Sequence, residues 1–171
     1  MKRLFVESVL CTGCLMCELA CAIHKTGIAN PLHARIRISK NEKTGVNQPI
    51  TCRQCNPAPC AEACPEEAII RDSETDALII HEDRCIQCGN CVDVCPFGAA
   101  QFSLDGNVII CDLCGGDPMC AKFCQKRPEN SSAFMANPLA SALNYLEPFE
   151  ASSLKRGMQL RKAEERETNR K

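Results

Sequence analysis

The sequence contains 16 cysteines among its 171 residues, and they are arranged in four groups of four. In each group, two residues separate the first two cysteines and three residues separate the last two. Such regular spacing indicates an internal repeat of a small unit that uses its thiols together. The groups are Cys11, Cys14, Cys17 and Cys21; Cys52, Cys55, Cys60 and Cys64; Cys85, Cys88, Cys91 and Cys95; and Cys111, Cys114, Cys120 and Cys124.

The third group and the Pro96 that follows it match the motif Cys-x2-Cys-x2-Cys-x3-Cys-Pro, which binds [4Fe–4S] clusters in bacterial ferredoxins. In two-cluster ferredoxins the fourth cysteine of this motif ligates the other cluster. The first group has the same spacing, with Ala22 in place of the proline. We therefore predict that the sixteen cysteines are iron ligands that hold four [4Fe–4S] clusters, and that the protein transfers electrons.

Zinc and disulfides are the alternative uses of these cysteines. Two Cys-x2-Cys pairs can hold zinc through four thiolates, which would make the chain a zinc-binding interaction module. Zinc ribbons, however, usually separate the two pairs by a longer spacer. Disulfides form in oxidising compartments, and the apolar run at 4–6 is too short for a secretory signal peptide. The sequence therefore predicts a cytoplasmic protein, working under anaerobic conditions, whose cysteines bind iron–sulfur clusters.

The segments between the cysteine groups predict short strands and short helices, and therefore an α+β fold. Two pairs of apolar segments flank polar turns, which predicts two β-hairpins. The alternating residues 35–38 predict another strand, and the polar residues from Lys40 to Gln48 predict a loop. We expect short helices near the last cysteine of each group. The hairpin segments are 68–70 with 77–80, and 100–102 with 108–110.

The remaining composition argues against several functions. The formal net charge is −1, which is unfavourable for nucleic acid as a partner. The sequence shows no apolar stretch near the roughly 20 residues that cross a bilayer. It also shows no catalytic triad, phosphate-binding loop or flavin motif, so we expect a non-catalytic protein. The histidines are scattered and are not expected to bind metal; they are His24, His33 and His81.

The composition changes after the fourth cysteine group. We predict a four-cluster domain at 1–130 and a C-terminal tail at 131–171. Three leucines with helical spacing precede Pro148, so part of the tail is predicted to be helical. Two alternatives remain open: the tail docks on a partner or on a second copy of the chain, or it is a disordered terminus. The leucines are Leu139, Leu143 and Leu146.

The spacing leaves the pairing of the groups open. Residues 65–84, between the second and third groups, have room for a hairpin, so these two groups can form one ferredoxin-like pair. The first and fourth groups would then form the other pair. Pairing of neighbours, the first group with the second and the third with the fourth, is also compatible with the spacing.

The four groups, with a longer middle gap in the second and fourth, resemble the iron–sulfur subunits of molybdenum and tungsten pterin oxidoreductases over residues 1–125. The stretch at 111–118 is similar to small ferredoxin-like subunits that accompany tungsten aldehyde oxidoreductases. The resemblance implies two ferredoxin-like modules of βαβ type, each with two [4Fe–4S] clusters, and a C-terminal extension. It also implies ligand sets that cross between groups: Cys11, Cys14, Cys17 and Cys124; Cys21, Cys111, Cys114 and Cys120; Cys52, Cys55, Cys60 and Cys95; and Cys64, Cys85, Cys88 and Cys91.

The resemblance implies partners as well. The chain would carry electrons between a catalytic tungsten or molybdenum pterin subunit, similar to aldehyde oxidoreductases, and another redox partner. A flavin subunit that reacts with NAD(H) is a candidate for that second partner. The alternative is a free-standing polyferredoxin that shuttles electrons between enzymes.

Overall fold

The computed structural model of the chain describes residues 2–125 and 142–146. Short helices and short strands alternate with turns in this part of the protein, in agreement with the predicted α+β fold. The helices are α1 (Met16–Thr26), α2 (Pro59–Glu62), α3 (Asn90–Asp93) and α4 (Met119–Gln125). The strands are β1 (Arg3–Val6), β2 (Arg37–Asn41), β3 (Val46–Ile50), β4 (Ile69–Arg71), β5 (Leu78–Ile80), β6 (Gln101–Phe102), β7 (Val108–Ile109) and β8 (Leu143–Leu146).

Two of the antiparallel hairpins are those that the apolar segments predict. β4 and β5 pair with Ile70 opposite Ile79. β6 and β7 pair with Phe102 opposite Val108. Both predicted hairpins are therefore confirmed, and each lies between two cysteine groups along the chain.

A further hairpin, formed by β2 and β3, replaces a predicted loop. Arg37 lies opposite Ile50 and Asn41 lies opposite Val46. The loop predicted at 40–48 was therefore wrong at 40–41 and 46–48, and a turn at 42–45 joins the two strands. Gly45 has a φ of +69°, which an L side chain rarely adopts and which allows a tight turn. Pairing then satisfies the backbone of both strands although their side chains are largely polar.

β1 and β8 join the two ends of the described chain. Val6 lies opposite Leu143, and the Glu7 N–H donates to the Ala142 carbonyl at 2.8 Å. Leu143 is 1 % exposed. The helix predicted for these residues was therefore wrong. Pairing with β1 buries Leu143, whereas a short helix without tertiary packing is only marginally stable in water.

Most of the predicted tail lies outside the described residues, which exclude 126–141 and 147–171. The part of the helical prediction that concerns Leu139 falls there. So do the predictions that the tail docks on a partner, associates with a second copy or is disordered.

The helices pack in two pairs, and each pair has its own apolar core. α1 lies against α4, and α2 lies against α3. α1 has 11 residues and is longer than the helices predicted near the cysteines. None of the helices in residues 2–125 and 142–146 is both long and apolar enough to cross a membrane. The first core includes Leu4, Ile36, Leu113 and Leu143, and the second includes Ile69, Leu78, Val108 and Ile110.

Candidate metal centres

Two cavities are each lined by four cysteines that come from two different groups. In the first cavity, Cys124 of the fourth group joins three cysteines of the first group. In the second, Cys64 of the second group joins three cysteines of the third group. A cavity walled by four thiols fits a [4Fe–4S] cluster, which takes four cysteine ligands. We call these cysteines set A (Cys11, Cys14, Cys17 and Cys124) and set D (Cys64, Cys85, Cys88 and Cys91).

The other cysteines also lie near partners from a second group. Burial, followed by repulsion from neighbouring thiolates, raises the pKa of Cys120 well above its ordinary value, and the pKa of Cys60 is raised for the same reasons. The neighbours of Cys120 include Cys111, Cys21 and Cys114, and those of Cys60 include Cys95 and Cys55. We call these groupings set B (Cys21, Cys111, Cys114 and Cys120) and set C (Cys52, Cys55, Cys60 and Cys95).

The crossing between groups has a simple helical cause. Residues four apart lie on one face of a helix, one turn from each other. Cys17 and Cys21 have this spacing on α1, as do Cys120 and Cys124 on α4. Cys17 interacts with Cys124, and Cys21 interacts with Cys120. α1 and α4 therefore pack in opposite directions, which places the first cysteine of each helix beside the last cysteine of the other.

The backbone repeats the same turn in all four groups. The residue before the second cysteine has a positive φ each time: +70° at Gly13, +54° at Gln54, +58° at Gln87 and +56° at Leu113. Turns of this kind can point successive backbone N–H groups into one concavity, which binds anions. The repeat thus provides a binding surface suited to the sulfur atoms of a cluster.

Gly13 also has a packing role, which leads to a prediction. A Cβ at Gly13 would lie 2.7 Å from Asn47 Oδ1, and the Asn47 amide donates to the Cys11 carbonyl at 3.2 Å. We expect Gly13→Ala to displace Asn47, to destabilise the protein by about 1–3 kcal/mol and to speed loss of iron to a chelator. Gly27→Ala is the matched control, because Gly27 has a similar φ of +73° and no atom within 4 Å of its Cβ position. Equal iron loss in the two variants would show that the contact with Asn47 is unimportant.

Backbone N–H groups of the described residues donate to cysteine sulfurs, including those of Cys21, Cys52, Cys64 and Cys95. Hydrogen bonds to the sulfurs are one of the factors that set the potential of an iron–sulfur cluster. The acceptors are distributed over sets B, C and D. The bonds are Arg35 N to Cys21 Sγ at 3.3 Å, Gln54 N to Cys52 Sγ at 3.4 Å, Ala68 N to Cys64 Sγ at 3.3 Å and Ala99 N to Cys95 Sγ at 3.3 Å.

Burial changes the acidity of the thiols. It is the largest cause that raises the pKa of Cys17 and Cys52 to about 12, and that of Cys91 and Cys111 to about 11. Cys95 is the exception: burial raises its pKa, but backbone N–H groups of the following turn together lower it further, so that it falls below the ordinary value. Iron binds the thiolate form, so its binding must release protons from the buried cysteines.

Two glutamines at the same repeat position connect the cysteine loops to the strands. Gln54 Oε1 accepts from the Leu78 N–H at 2.7 Å, and Gln87 Oε1 accepts from the Val108 N–H at 2.6 Å. The Gln54 amide also donates to the Cys111 carbonyl at 2.6 Å. Gln54 therefore links the loop of set C to the loop of set B. The sequence analysis missed these glutamines, although aligning the four repeats would have placed both directly before the second cysteine.

Gln54 is 3 % exposed, so its loss should be costly. Gln54→Ala leaves the Leu78 N–H and the Cys111 carbonyl buried without partners, and each unpaired group costs roughly 1–3 kcal/mol. We expect a lower denaturant midpoint. Unfolding is measured through the visible absorbance of the clusters under anaerobic conditions. Gln48→Ala is the control, because Gln48 bonds to Ser8 at an exposed position. A midpoint for Gln54→Ala that matches the control would contradict the bridging role.

Asp112 is a further residue that the sequence analysis missed. Its carboxylate accepts from Lys25 Nζ and from Arg35 Nη1, both at 2.7 Å, and from the Cys114 N–H at 3.0 Å. Burial raises the pKa of Asp112, but the bonds and positive charges of Lys25 and Arg35 outweigh it and hold that pKa below its ordinary value. The charged carboxylate therefore helps to position the loop between Cys111 and Cys114.

The disulfide alternative finds no support in the geometry. All sixteen cysteines lie in the described part of the chain, and none of them forms a disulfide. Within residues 2–125 and 142–146, no three His, Cys, Asp or Glu side chains are grouped as ligands of a single metal ion. The two four-thiol cavities have the ligand number of a [4Fe–4S] cluster, which a four-thiolate zinc site shares.

Residues 44–132 match the family described as "4Fe-4S dicluster domain". The match spans more than half of the chain and contains the second, third and fourth cysteine groups. The chain belongs to this family. The prediction of [4Fe–4S] chemistry in a ferredoxin-like domain is thereby confirmed.

Relatives extend the similarity beyond this domain. The chain is 42 % identical over 117 residues to the "Aliphatic sulfonate oxidoreductase, polyferredoxin-like subunit" of Pyrococcus furiosus, covering 68 % of this chain and 67 % of that protein. It is 38 % identical over 128 residues to an uncharacterised ferredoxin of Methanocaldococcus jannaschii, covering 74 % and 70 %. It is 31 % identical over 175 residues to the putative oxidoreductase AegA of Escherichia coli, covering 95 % of this chain but 24 % of AegA. The region similar to this chain is thus about a quarter of AegA.

Proposed function

We propose that this chain is a non-catalytic electron-transfer subunit that holds four [4Fe–4S] clusters in two ferredoxin-like modules. The observation that carries the proposal is the gathering of four cysteines from two groups around each of two cavities. α1 and α4 would hold sets A and B in one module, and α2 and α3 would hold sets C and D in the other. The clusters supply one-electron transfer when they are bound.

Electrostatic interactions between cysteines support a linear order of the sets from A to D. One cysteine of each set raises the pKa of a cysteine in the next set, so neighbouring sets lie near each other. A linear order suits a wire, because an electron can pass from each set to the next. The interacting pairs are Cys17 with Cys120 between sets A and B, Cys111 with Cys52 between sets B and C, and Cys60 with Cys91 between sets C and D.

We further propose that the wire serves a catalytic partner in the cytoplasm. The Pyrococcus furiosus relative is named as a subunit of an oxidoreductase, and AegA carries a similar region within a longer oxidoreductase chain. The resemblance of residues 1–125 to subunits of pterin enzymes favours a tungsten or molybdenum enzyme, similar to aldehyde oxidoreductases, as this partner. A flavin subunit that reacts with NAD(H) is the proposed second partner.

Anaerobic affinity purification of the tagged chain from its native host tests this proposal. Mass spectrometry and metal analysis of the eluate should find iron, sulfide, a large partner, and tungsten or molybdenum in a constant ratio to the chain. An untagged culture processed in the same way is the control for adventitious binding. Recovery of the chain without iron in this purification would contradict the electron-transfer function itself.

A free-standing polyferredoxin is the second candidate, and the Methanocaldococcus jannaschii relative, which is named a ferredoxin, favours it. Under this candidate the same purification yields the chain alone, with iron and sulfide but without a second metal. That result would contradict the permanent catalytic partner and leave the four-cluster wire in place.

A further inference from the structure

A cavity of about 500 Å³ lies outside the two cysteine-lined cavities, and no cysteine of the described residues lines it. The end of α1 and the segment before β2 form one wall. Strands β5 and β7 also contribute to the lining. Its volume is in the range of small-molecule sites, and neither the electron-transfer function nor the cluster ligands account for it.

One wall of the cavity carries an excess of positive charge. Lys25 Nζ and Arg35 Nη1 both donate to the same oxygen of Asp112, so two cations share one carboxylate. All three side chains are largely buried and line the cavity. An ammonium group has three donors and a guanidinium group has five, so this wall retains donors for a further oxyanion.

The side chains that strands β5 and β7 contribute to the lining are apolar. Ile79 and Ile80 of β5 line the cavity together with Val108 and Ile109 of β7. The Ser103 hydroxyl also lines the cavity and is buried without a partner among the described residues. Two further acidic residues, Glu82 and Asp105, also line the cavity. Both are exposed, so solvent screens their charges.

We infer that this cavity binds a small aliphatic carboxylate. The carboxylate group bonds to Lys25 and Arg35, where charge-assisted hydrogen bonds are strong. The hydrocarbon body lies against the isoleucines of β5 and β7, where burial of each CH₂ group is favourable. The cavity supplies no group for a covalent step, so the ligand binds without being converted.

The cavity is directly connected to set B. The Arg35 N–H donates to Cys21 Sγ at 3.3 Å, and Asp112 accepts from the Cys114 N–H at 3.0 Å. A carboxylate that bonds to Lys25 and Arg35 competes with Asp112 and adds negative charge close to these cysteines. This part of the inference rests on the proposed function: with a cluster bound by set B, ligand binding would lower the potential of that centre and make the site an effector site of the wire.

Calorimetric titration of the cluster-loaded full chain with hexanoate, under anaerobic conditions, tests the inference. We expect saturable binding that weakens about fourfold for each buried CH₂ group removed on shortening the acid toward acetate. Hexanol, which has the same body without the charge, should bind at least about tenfold more weakly. This comparison uses the unaltered protein, so it does not depend on the folding of a variant.

Lys25→Gln should weaken hexanoate binding about tenfold or more. The matched control is Lys122→Gln, because Lys122 pairs with Asp117 at an exposed position outside the cavity. A redox titration followed by electron paramagnetic resonance should show that hexanoate shifts one signal to lower potential in the unaltered protein and less in Lys25→Gln.

Three results would overturn the inference: absence of saturable binding, equal binding of acetate and hexanoate, or unchanged affinity in Lys25→Gln at full iron content. Iron content and electron transfer are measured on the same samples. Full iron and normal electron transfer without hexanoate binding would overturn the effector site alone. Absence of iron would contradict the proposed electron-transfer function instead.

Discussion

The double variant Cys14→Ala/Cys124→Ala loses the iron of one cluster, about four atoms, and not that of two. This result is expected because Cys14 and Cys124 line the same cavity, although they belong to the first and fourth groups. Once one of these ligands is removed, loss of the second affects a centre that is already damaged. Iron and acid-labile sulfide analysis of anaerobically purified protein measures the effect.

The control is Cys14→Ala/Cys120→Ala, which removes one cysteine from set A and one from set B. This variant should lose about eight iron atoms, because two centres are affected. If neighbouring groups paired instead, Cys14 and Cys124 would serve different centres, and the first double variant would also lose about eight. Equal losses of about eight in both variants would therefore contradict the crossed ligand sets.

Leu143→Ala should destabilise the protein by about 2–5 kcal/mol, the usual cost of removing a buried leucine side chain. Leu143 lies in β8, packs into the first core and lines the cavity of set A. Its truncation should therefore also open that cavity to solvent. We expect a lower denaturant midpoint and faster loss of about four iron atoms to a chelator.

Leu32→Ala is the matched control, because the Leu32 side chain is 62 % exposed and does not line the cavity of set A. It should leave both the midpoint and the rate of iron loss close to those of the unaltered chain. A Leu143→Ala protein with the stability of this control would show that β8 is dispensable. The tail could then be regarded as separate from the cluster-binding domain.

Local features of this protein could be predicted from the sequence because neighbouring residues determine them. The interval between cysteines in the third group and the proline after it predict [4Fe–4S] chemistry, and the family match confirms it. Apolar segments around short polar turns predict both β4–β5 and β6–β7. In each case the interacting groups are a few residues apart, so the chain itself brings them together.

Local spacing was misleading where a distant partner competed. The leucines near Pro148 have a helical interval, yet Leu143–Leu146 pair with β1 at the other end of the chain. Residues 40–48 were expected to form a loop, yet Lys40 pairs with Asn47 and Asn41 pairs with Val46. A strand needs a partner for its backbone, and the residue pattern of one strand does not identify that partner.

Which cysteines lie together was decided by tertiary structure. Spacing sets the distance between cysteines of one group, but it allowed the groups to pair with their neighbours or across the chain. The opposite directions of α1 and α4 place Cys17 beside Cys124 and Cys21 beside Cys120. The cavity that we infer to bind a carboxylate also depends on tertiary structure. Lys25, Arg35 and Asp112 meet there, although Lys25 and Asp112 are 87 residues apart in the sequence. The sequence by itself thus determined the iron–sulfur chemistry, whereas helix packing, which depends on contacts between distant residues, determined how the cysteines are grouped.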